Sequence, residues 1–226
     1  MRPVNLAIAV VAALMVVVAV LLVAPLISQP PPQQPKAVNP GGLPIPPWAM
    51  RFGNENAPVV LVEFYDLLCP WCAYAHVELG PLIKEMVEEG KIYYILVDFP
   101  VHRDAVWPLH QRLHCAYNEL GPSATLDLVN KLYYVWYLAT CKSTIQLPIC
   151  KNTISTDEAI VNMSRTLQPY VCHFNVTLAQ ALGVSDAFGK VGIRIGGTPT
   201  FIVYKNGTLT VVEGARVDLI RRLLSG

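Results

Sequence analysis

The sequence has little excess charge of either sign. Lys and Arg number 17 against 16 Asp and Glu, so the formal net charge is +1, and charged residues make up only 15% of the chain. The basic residues are scattered, and no basic stripe is interleaved with aromatic side chains. A nucleic-acid-binding surface needs such a stripe to neutralise phosphates. The composition therefore argues against nucleic acid as a partner.

Charge is missing altogether from residues 3–35. Within them, residues 6–24 are apolar without interruption, and a helix of that length, at about 1.5 Å per residue, spans the roughly 30 Å hydrocarbon core of a membrane. A cleaved secretory signal is the alternative, but its apolar core is only about 7–15 residues long, and the −3 position would here be Leu22 rather than a small residue. We therefore expect residues 1–27 to be an uncleaved anchor, and Arg2 favours an inside amino terminus. The rest of the chain would then be extracytoplasmic.

Proline dominates the next segment, residues 28–50. A Pro-rich segment is a semi-rigid polyproline spacer at about 3.1 Å per residue. A disordered tether is the alternative, and it would hold the following domain away from the membrane in nearly the same way. The predicted folded domain covers residues 51–226. The prolines are Pro30, Pro31, Pro32, Pro35, Pro40, Pro44, Pro46 and Pro47.

Cysteine is absent before residue 69, where a C-P-W-C motif begins. An apolar, β-branched run of strand length, residues 59–65, precedes the motif, and a helical pattern with a stop at Gly90 follows it. Amide groups and the dipole at a helix N-terminus stabilise a thiolate. We therefore expect Cys69 to be the exposed nucleophile. Cys72, one turn further in, would close a disulfide with it.

A second segment favours a redox site over a structural disulfide or half a zinc site, which an isolated C-x-x-C pair also allows. Residues 196–204 enter a strand through Pro199, which a central strand tolerates only at its first residue or at a bulge. A cis Thr198–Pro199 peptide bond would explain this placement. The two segments together predict a C-x-x-C pair facing a cis-proline loop.

These motifs resemble those of the DsbA-like thiol:disulfide oxidoreductases of the thioredoxin superfamily. The likeness rests on residues 53–66 (G-N-E-N-A-P-V-V-L-V-E-F-Y-D), on C-P-W-C at 69–72, on G-T-P-T-F at 197–201 and on H-C-A at 114–116. It covers about residues 53–225. The resemblance implies an α/β thioredoxin-like fold with an inserted helical domain, here preceded by one transmembrane helix.

The resemblance also implies roles for individual residues. Glu63, six residues before Cys69, would be a buried acid that handles the proton of Cys72, although a strand carboxylate can also point to solvent on the alternate face. Asp66 is interpreted as a loop or capping residue. The substrate-binding residues would be Pro70, Trp71, Thr198 and Pro199.

The activity implied is oxidation or isomerisation of cysteines in exported or surface proteins, without a dissociable cofactor and with a membrane redox partner that recycles the site. The Cys-Pro-x-Cys pattern favours an oxidase. Trp71 carries no positive charge to stabilise a thiolate, so a reductase is the alternative. A tethered chaperone with a structural C-x-x-C, or a metal-delivery module, remains a further possibility.

No metal is expected at this site. Cys69, Cys72 and His76 share a helical segment, but structural zinc sites use four ligands, usually as two pairs, and no second C-x-x-C lies near. His110 and His114 are four residues apart. Such histidines are more often on a helix surface or hydrogen-bonded than ligands.

Helical patterns fill residues 101–190, between two predicted strand regions, and indicate an inserted helical domain. Gly80-Pro81 should divide the first helix into two kinked segments. The other predictions are a strand at 91–99, helices at 104–120 and 123–140, a capping box at 155–158, a hairpin of 201–204 and 209–213 around Asn206-Gly207, and a closing helix at 217–224.

The four remaining cysteines lie in the inserted region and suit an oxidising compartment. Cys141 and Cys150 flank a short polar loop, which favours a local bridge and leaves Cys115 to pair with Cys172. Four buried free thiols are the alternative.

The anchor gives a testable prediction. Residues 1–27 should remain attached to the mature protein, because no good cleavage site follows the apolar run. Mass spectrometry of the purified full-length protein measures this directly. An amino terminus near Ser28 or within the Pro-rich segment would show that the apolar run is a cleaved signal.

Overall fold

The structure is a computed structural model that describes residues 42–145 and 153–226. The predicted anchor and most of the predicted linker lie outside these residues. Within the described ranges, no helix has both the length and the apolar character that crossing a membrane requires.

Five strands form one mixed sheet. They are β1 (Met50–Gly53), β2 (Val59–Tyr65), β3 (Ile92–Asp98), β4 (Thr200–Lys205) and β5 (Thr208–Glu213). The order across the sheet is β1-β3-β2-β4-β5, with β2 parallel to β3 and antiparallel to β4. The strand that leads to the C-P-W-C motif is therefore at the centre of the sheet. The predicted strands and the hairpin are confirmed, whereas β1 was not predicted.

The hairpin turn shows why its sequence was informative. Asn206 and Gly207 join β4 to β5 with positive φ angles of 51° and 77°. A two-residue turn with two positive φ angles matches the right-handed twist of the flanking strands, and Asn-Gly adopts it with little strain.

Strand β2 is buried on both faces of the sheet, and all seven of its residues are buried. Leu61 and Tyr65 contribute to the core that contains Cys69 and Cys72, and Val60 and Val62 contribute to a second core on the opposite face. Successive strand residues alternate between faces. Glu63 therefore lies on the same face as Leu61 and Tyr65. The alternative that Glu63 points to solvent is wrong, since its exposed fraction is 0%.

Six helices and one 3₁₀ turn complete the described part of the chain. Four of the helices and the 3₁₀ turn lie between β3 and β4, which confirms the helical insertion. The elements are α1 (Pro70–Glu88), the 3₁₀ turn (Arg103–Ala105), α2 (Trp107–Ile145), α3 (Thr156–Leu167), α4 (Leu178–Leu182), α5 (Val184–Gly189) and α6 (Val217–Ser225).

Helices α1 and α2 each contain a Gly-Pro pair, with different outcomes. Helix α2 is interrupted at Gly121 (φ 77°, ψ 176°), as predicted. Helix α1 continues through Gly80 and Pro81, so the expected division into two segments is wrong. Its buried face packs along its whole length against the sheet and α2, and this packing outweighs the one hydrogen bond that Pro81 cannot donate.

The end of the Pro-rich segment packs on the second core, opposite α1. Leu43, Ile45 and Trp48 contact the buried residues of that core. The guanidinium of Arg51 donates a hydrogen bond of 2.7 Å to the carbonyl oxygen of Ala49 and further bonds to earlier carbonyls in the segment. Folded structure therefore begins before residue 50, inside the predicted linker.

Candidate active site

Cys69 lies at the N-cap of α1, with extended backbone angles (φ −78°, ψ 117°), and Pro70 fills the first helical position. Its Sγ accepts a hydrogen bond of 3.4 Å from the backbone N–H of Cys72 and donates one of 3.2 Å to the carbonyl oxygen of Thr198. Only 5% of Cys69 is exposed, less than predicted for the nucleophile. The loop that carries Thr198 contacts this sulfur from across the site.

The pKa values of the two cysteines are shifted in opposite directions. Hydrogen bonding from the Cys72 thiol is the largest cause that lowers the pKa of Cys69, to about 7, against the opposing effect of burial. Burial raises the pKa of Cys72 well above its usual value, and a Cys69 thiolate raises it further. Cys72 is fully buried. Near pH 7 a thiolate therefore forms on Cys69, while Cys72 keeps its proton.

The loop facing Cys69 contains the predicted cis peptide bond between Thr198 and Pro199. The Thr198 carbonyl accepts the S–H of protonated Cys69, whereas a hydrogen bond from the Thr198 side chain to the thiolate lowers the pKa of Cys69. The Thr198 hydroxyl is buried and has no hydrogen-bond partner among the described residues. It can therefore turn its proton toward the sulfur once the thiolate forms.

The other predicted substrate-binding residues differ in accessibility. Trp71 is 45% exposed and lies edge-on to Tyr74, with ring centroids 6.3 Å apart. Pro70 is partly exposed, and Pro199 is buried, with its carbonyl oxygen accepting a 2.8 Å hydrogen bond from Gly214. Trp71 is thus the accessible apolar surface beside the sulfur.

Glu63 is buried beneath α1. Its Oε2 accepts a short hydrogen bond from the Tyr94 hydroxyl and lies 3.3 Å from Nε2 of His76. Its Oε1 has no hydrogen-bond partner among the described residues. A negative charge on Glu63 raises the pKa of Cys72, which places the carboxylate within electrostatic reach of that sulfur.

His76 lies one helical turn beyond Cys72, between the sheet and α2. Its Nδ1 is 3.0 Å from Oδ1 of Asn130, and its ring stacks on Tyr133 with centroids 4.2 Å apart. Its other nitrogen faces Glu63. The residue therefore connects the buried carboxylate to helix α2.

Three backbone N–H groups of the loop that leads to Cys69 donate hydrogen bonds within the protein. The Cys69 N–H donates to the Asp66 carbonyl at 3.0 Å. The Leu68 N–H donates to Oδ1 of Asp66 at 2.7 Å, which confirms Asp66 as a loop-capping residue. The Leu67 N–H donates to Nε2 of His110 at 3.1 Å.

Helix α2 supplies donors for the carbonyls of the same loop. The indole N–H of Trp136 donates to the Leu68 carbonyl at 2.8 Å, and the Tyr133 hydroxyl donates to the Asp66 carbonyl at 3.1 Å. Because buried peptide groups cost free energy when unpaired, these bonds favour one loop conformation. The inserted helical domain thus positions the nucleophile.

His110 is held in turn by a fully buried carboxylate, Asp98. Oδ1 of Asp98 accepts hydrogen bonds from the Tyr65 hydroxyl (2.8 Å) and Nδ1 of His110 (2.7 Å), and Oδ2 accepts one from Nε2 of His114 (2.7 Å). Burial alone would raise the pKa of Asp98, but the charge on His114 and the hydrogen bonds from both histidines lower it below the usual range. Both histidines are buried and hydrogen-bonded, and neither is on the helix surface.

A second ion pair lies closer to solvent. Oδ2 of Asp66 accepts hydrogen bonds from the backbone N–H (2.8 Å) and Nδ1 (3.0 Å) of His102. The bond to Asp66 is the largest cause that raises the pKa of His102, and the Cys69 thiolate raises it further. His102 is therefore paired with Asp66, the carboxylate whose negative charge raises the pKa of Cys69.

The sequence interpretation missed Asp98, His102 and Tyr94. Asp98 could have been found, because it ends a buried strand and two histidines follow at helical spacing. Tyr94 and His102 carry no such signal, since only the register of the sheet and the loop after β3 bring them to Glu63 and Asp66.

Four cysteines lie outside the C-P-W-C motif. Cys115 and Cys172 form a disulfide. Cys141 is buried, but Cys150 lies outside the described residues, so their pairing stays a prediction. Among the described residues, no three Cys, His, Asp or Glu side chains come together as a metal site.

A central strand leading to C-x-x-C at a helix start, opposite a cis proline, defines a thioredoxin-like fold. The family model described as Thioredoxin matches residues 47–208. The chain therefore belongs to the thioredoxin family.

Solved structures show the same fold. One is a periplasmic thioredoxin-like protein from Salmonella enterica serovar Typhimurium, 18% identical, with 87% of this chain and 97% of that chain covered and a TM-score of 0.53. Another is alpha-DsbA1 from Wolbachia pipientis, 20% identical, with 80% of this chain and 92% of that chain covered and a TM-score of 0.52.

A curated relative is similar over a short stretch. A Rickettsia prowazekii protein named "Putative protein-disulfide oxidoreductase" is 37% identical over 51 residues, which cover 22% of this chain and 19% of that protein. The chain thus spans about a fifth of the length of the curated relatives it matches.

The acidity difference gives a direct prediction. In the reduced protein, Cys69 should react with iodoacetamide well below pH 8, with a midpoint near pH 7, because its pKa is lowered to about 7. Cys72 should stay unmodified, since it is buried and its pKa is raised. Peptide mass spectrometry after timed alkylation measures both sites. Equal rates at the two cysteines at pH 6 would contradict the assignment.

The Asp98 cluster predicts an acid-sensitive stability. The folded-state pKa of Asp98 lies below its unfolded value, so its contribution is complete above about pH 4 and is lost as the pH falls further. Asp98→Asn should lower the free energy of unfolding by about 3 kcal/mol at pH 7, because it leaves a buried charge unpaired. The variant should also lose less stability than the wild type as the pH falls below 4. Urea unfolding at several pH values measures this. Replacement of the exposed Glu55 by Gln is the control, and an unchanged acid slope in the Asp98 variant would count against the cluster.

Proposed function

We propose that the protein is a thiol:disulfide oxidoreductase in which Cys69 exchanges disulfides with protein substrates and Cys72 resolves the mixed disulfide. The asymmetry of the pair carries this proposal. Cys69 has a lowered pKa at a helix N-terminus, while Cys72 is fully buried with a raised pKa. A purely structural cysteine pair has no need of such a difference.

The chemistry follows from these positions. In the oxidising direction, a substrate thiolate attacks Cys69 of the disulfide form, and Cys72 leaves as a thiolate. A second substrate thiolate then releases Cys69. Because the Cys72 thiolate is buried, it must be protonated as it forms, and Glu63 is the acid beside it.

The substrate is an extended segment of another protein. It would lie along the Thr198–Pro199 loop and contact Trp71 and Pro70 beside the sulfur. Backbone hydrogen bonds to such a segment give affinity without strong sequence preference. Exported and surface proteins with thiols or disulfides fit this description.

The site favours oxidation. Stabilising the Cys69 thiolate stabilises the reduced form and makes the disulfide a stronger oxidant. Hydrogen bonds from Cys72 and Thr198 contribute to this, whereas the charge on Asp66 opposes it, and neither residue between the two cysteines, Pro70 or Trp71, carries a positive charge. We therefore expect a potential above thioredoxin's roughly −270 mV and below the roughly −120 mV of the strongest oxidant. Reduction of disulfides is the alternative within the same fold.

The protein would work outside the cytoplasm, held by residues 1–27 as a single-pass anchor. The Cys115–Cys172 disulfide suits an oxidising compartment. An enzyme fixed at the membrane surface would be reoxidised there by a membrane redox partner.

Two measurements test the function. The catalysed reduction of insulin by dithiothreitol should be lost in Cys69→Ser, because the attacking sulfur is gone, and should be retained in the matched variant Cys115→Ser if that variant folds. Equilibration of Cys69–Cys72 with glutathione buffers gives the potential.

The outcomes separate the alternatives. No turnover by the wild-type protein would favour a structural or docking module. A potential at or below about −270 mV would make the protein a reductase.

A further inference from the structure

The buried pair Glu63 and His76 has one proton site that the fold leaves open. The Asn130 carbonyl oxygen, 3.0 Å from Nδ1 of His76, accepts the hydrogen carried by that nitrogen. Nε2 of His76 then faces Oε2 of Glu63 at 3.3 Å. Both cysteines are free thiols in this structure, so Cys72 carries its proton and the site between Nε2 and Oε2 is open. That site can hold one proton, as an imidazolium or as a carboxylic acid, when Cys72 does not carry it.

Two polar atoms of this pair are buried without hydrogen-bond partners in the described part of the chain: Oε1 of Glu63 and Nε2 of His76. Buried polar atoms are normally paired, and unpaired ones occur where a site does chemistry. The Asp98 carboxylate gives the contrast, because both of its oxygens are paired. The open atoms of Glu63 and His76 can each gain or lose a proton without breaking a hydrogen bond.

We infer that His76 is a positioning residue for Glu63 and shares its proton, that Asn130 of α2 orients the His76 ring, and that the pair supplies and removes the proton of Cys72. This inference rests on the proposed function. When a substrate thiolate bonds to Cys69, the Cys69–Cys72 bond breaks and its electron pair stays on Cys72. Cys72 then takes the proton held by the pair. In the reverse step, the Cys72 thiol returns that proton as its sulfur attacks the mixed disulfide.

The surroundings restrict which groups exchange protons. Tyr94 and Tyr133 face the pair from β3 and α2, and burial raises the pKa of both hydroxyls well above the usual range, so they remain protonated.

The contact between His76 and Asn130 joins the two helices. Asn130 is partly exposed, and its side chain lies against Gly80, where a Cβ would be 2.7 Å from Oδ1 of Asn130. The absence of a side chain at Gly80 lets Asn130 reach His76 from α2. This also accounts for a glycine inside a long helix.

The test isolates the step in which Cys72 must lose its proton. Reduced protein is mixed with oxidised glutathione and quenched with acid at successive times between pH 5.5 and 8.5. Mass spectrometry then follows the mixed disulfide on Cys69. Its formation reports the attack by Cys69, and its decay reports the attack by Cys72.

His76→Gln keeps a hydrogen-bonding side chain that cannot carry a proton. We expect the decay to slow at least tenfold at pH 6–7 and to approach the wild-type rate toward pH 8.5, where hydroxide can remove the proton. Formation of the mixed disulfide should be unchanged. Asn130→Ala, at a partly exposed position, should slow the decay in the same pH range by a smaller factor, and it provides the test if His76→Gln does not fold.

The control is Lys84→Ala, which removes an exposed ion pair between α1 and α2 (Lys84–Asp127, 2.5 Å) without touching His76. It should retain the wild-type pH profile. Equal decay rates in His76→Gln and the wild type, or slowing by the same factor at every pH, would overturn the inference. Failure of the wild-type protein to form or resolve the mixed disulfide would instead refute the proposed function.

Discussion

The hydrogen bond from the Leu67 N–H to His110 is the contact on which the geometry of the site depends. It can form only because Asp98 accepts the hydrogen of the other His110 nitrogen, which leaves Nε2 free to accept. Asp98 thus fixes the tautomer of His110, and that tautomer holds the backbone N–H of Leu67, two residues before Cys69. Trp136 adds a further bond from the same helix. The conformation of the reactive loop is in this way determined by a domain inserted some forty residues later in the chain.

Two buried acids on neighbouring strands have opposite surroundings. Asp98 ends β3 with both oxygens paired, and this arrangement stabilises a permanent charge. Glu63 lies within β2 with one oxygen unpaired, beside a histidine whose nitrogen is also unpaired. The first is a structural ion cluster, and the second is the place where we propose that a proton moves. Burial alone does not distinguish them, whereas the count of hydrogen bonds does.

Local signals made much of the fold predictable. The C-P-W-C motif, the Thr198–Pro199 bond and the Asn206-Gly207 turn each specify a backbone conformation within a few residues. The face on which Glu63 lies could not be read from the sequence, because a strand buried on both sides shows no alternation. The link between Asp98 and His110 depends on how the insertion packs against the sheet, and no short pattern encodes that packing. Continuity of α1 through Pro81 likewise reflects tertiary contacts that outweigh a local propensity.

The attachment of the Pro-rich segment has a mechanical consequence. Leu43, Ile45 and Trp48 are fastened to the sheet face opposite α1, and Arg51 ties the carbonyls of that segment to the first strand. A pulling force on the chain before residue 43 would therefore act first on the second core and on the edge strand β1. Helix α1 and the Cys69 sulfur belong to the other core. A force applied at residue 43 would therefore reach the Cys69 sulfur only through the sheet and through Met50 and Phe52 of β1, which lie in the core of Cys69.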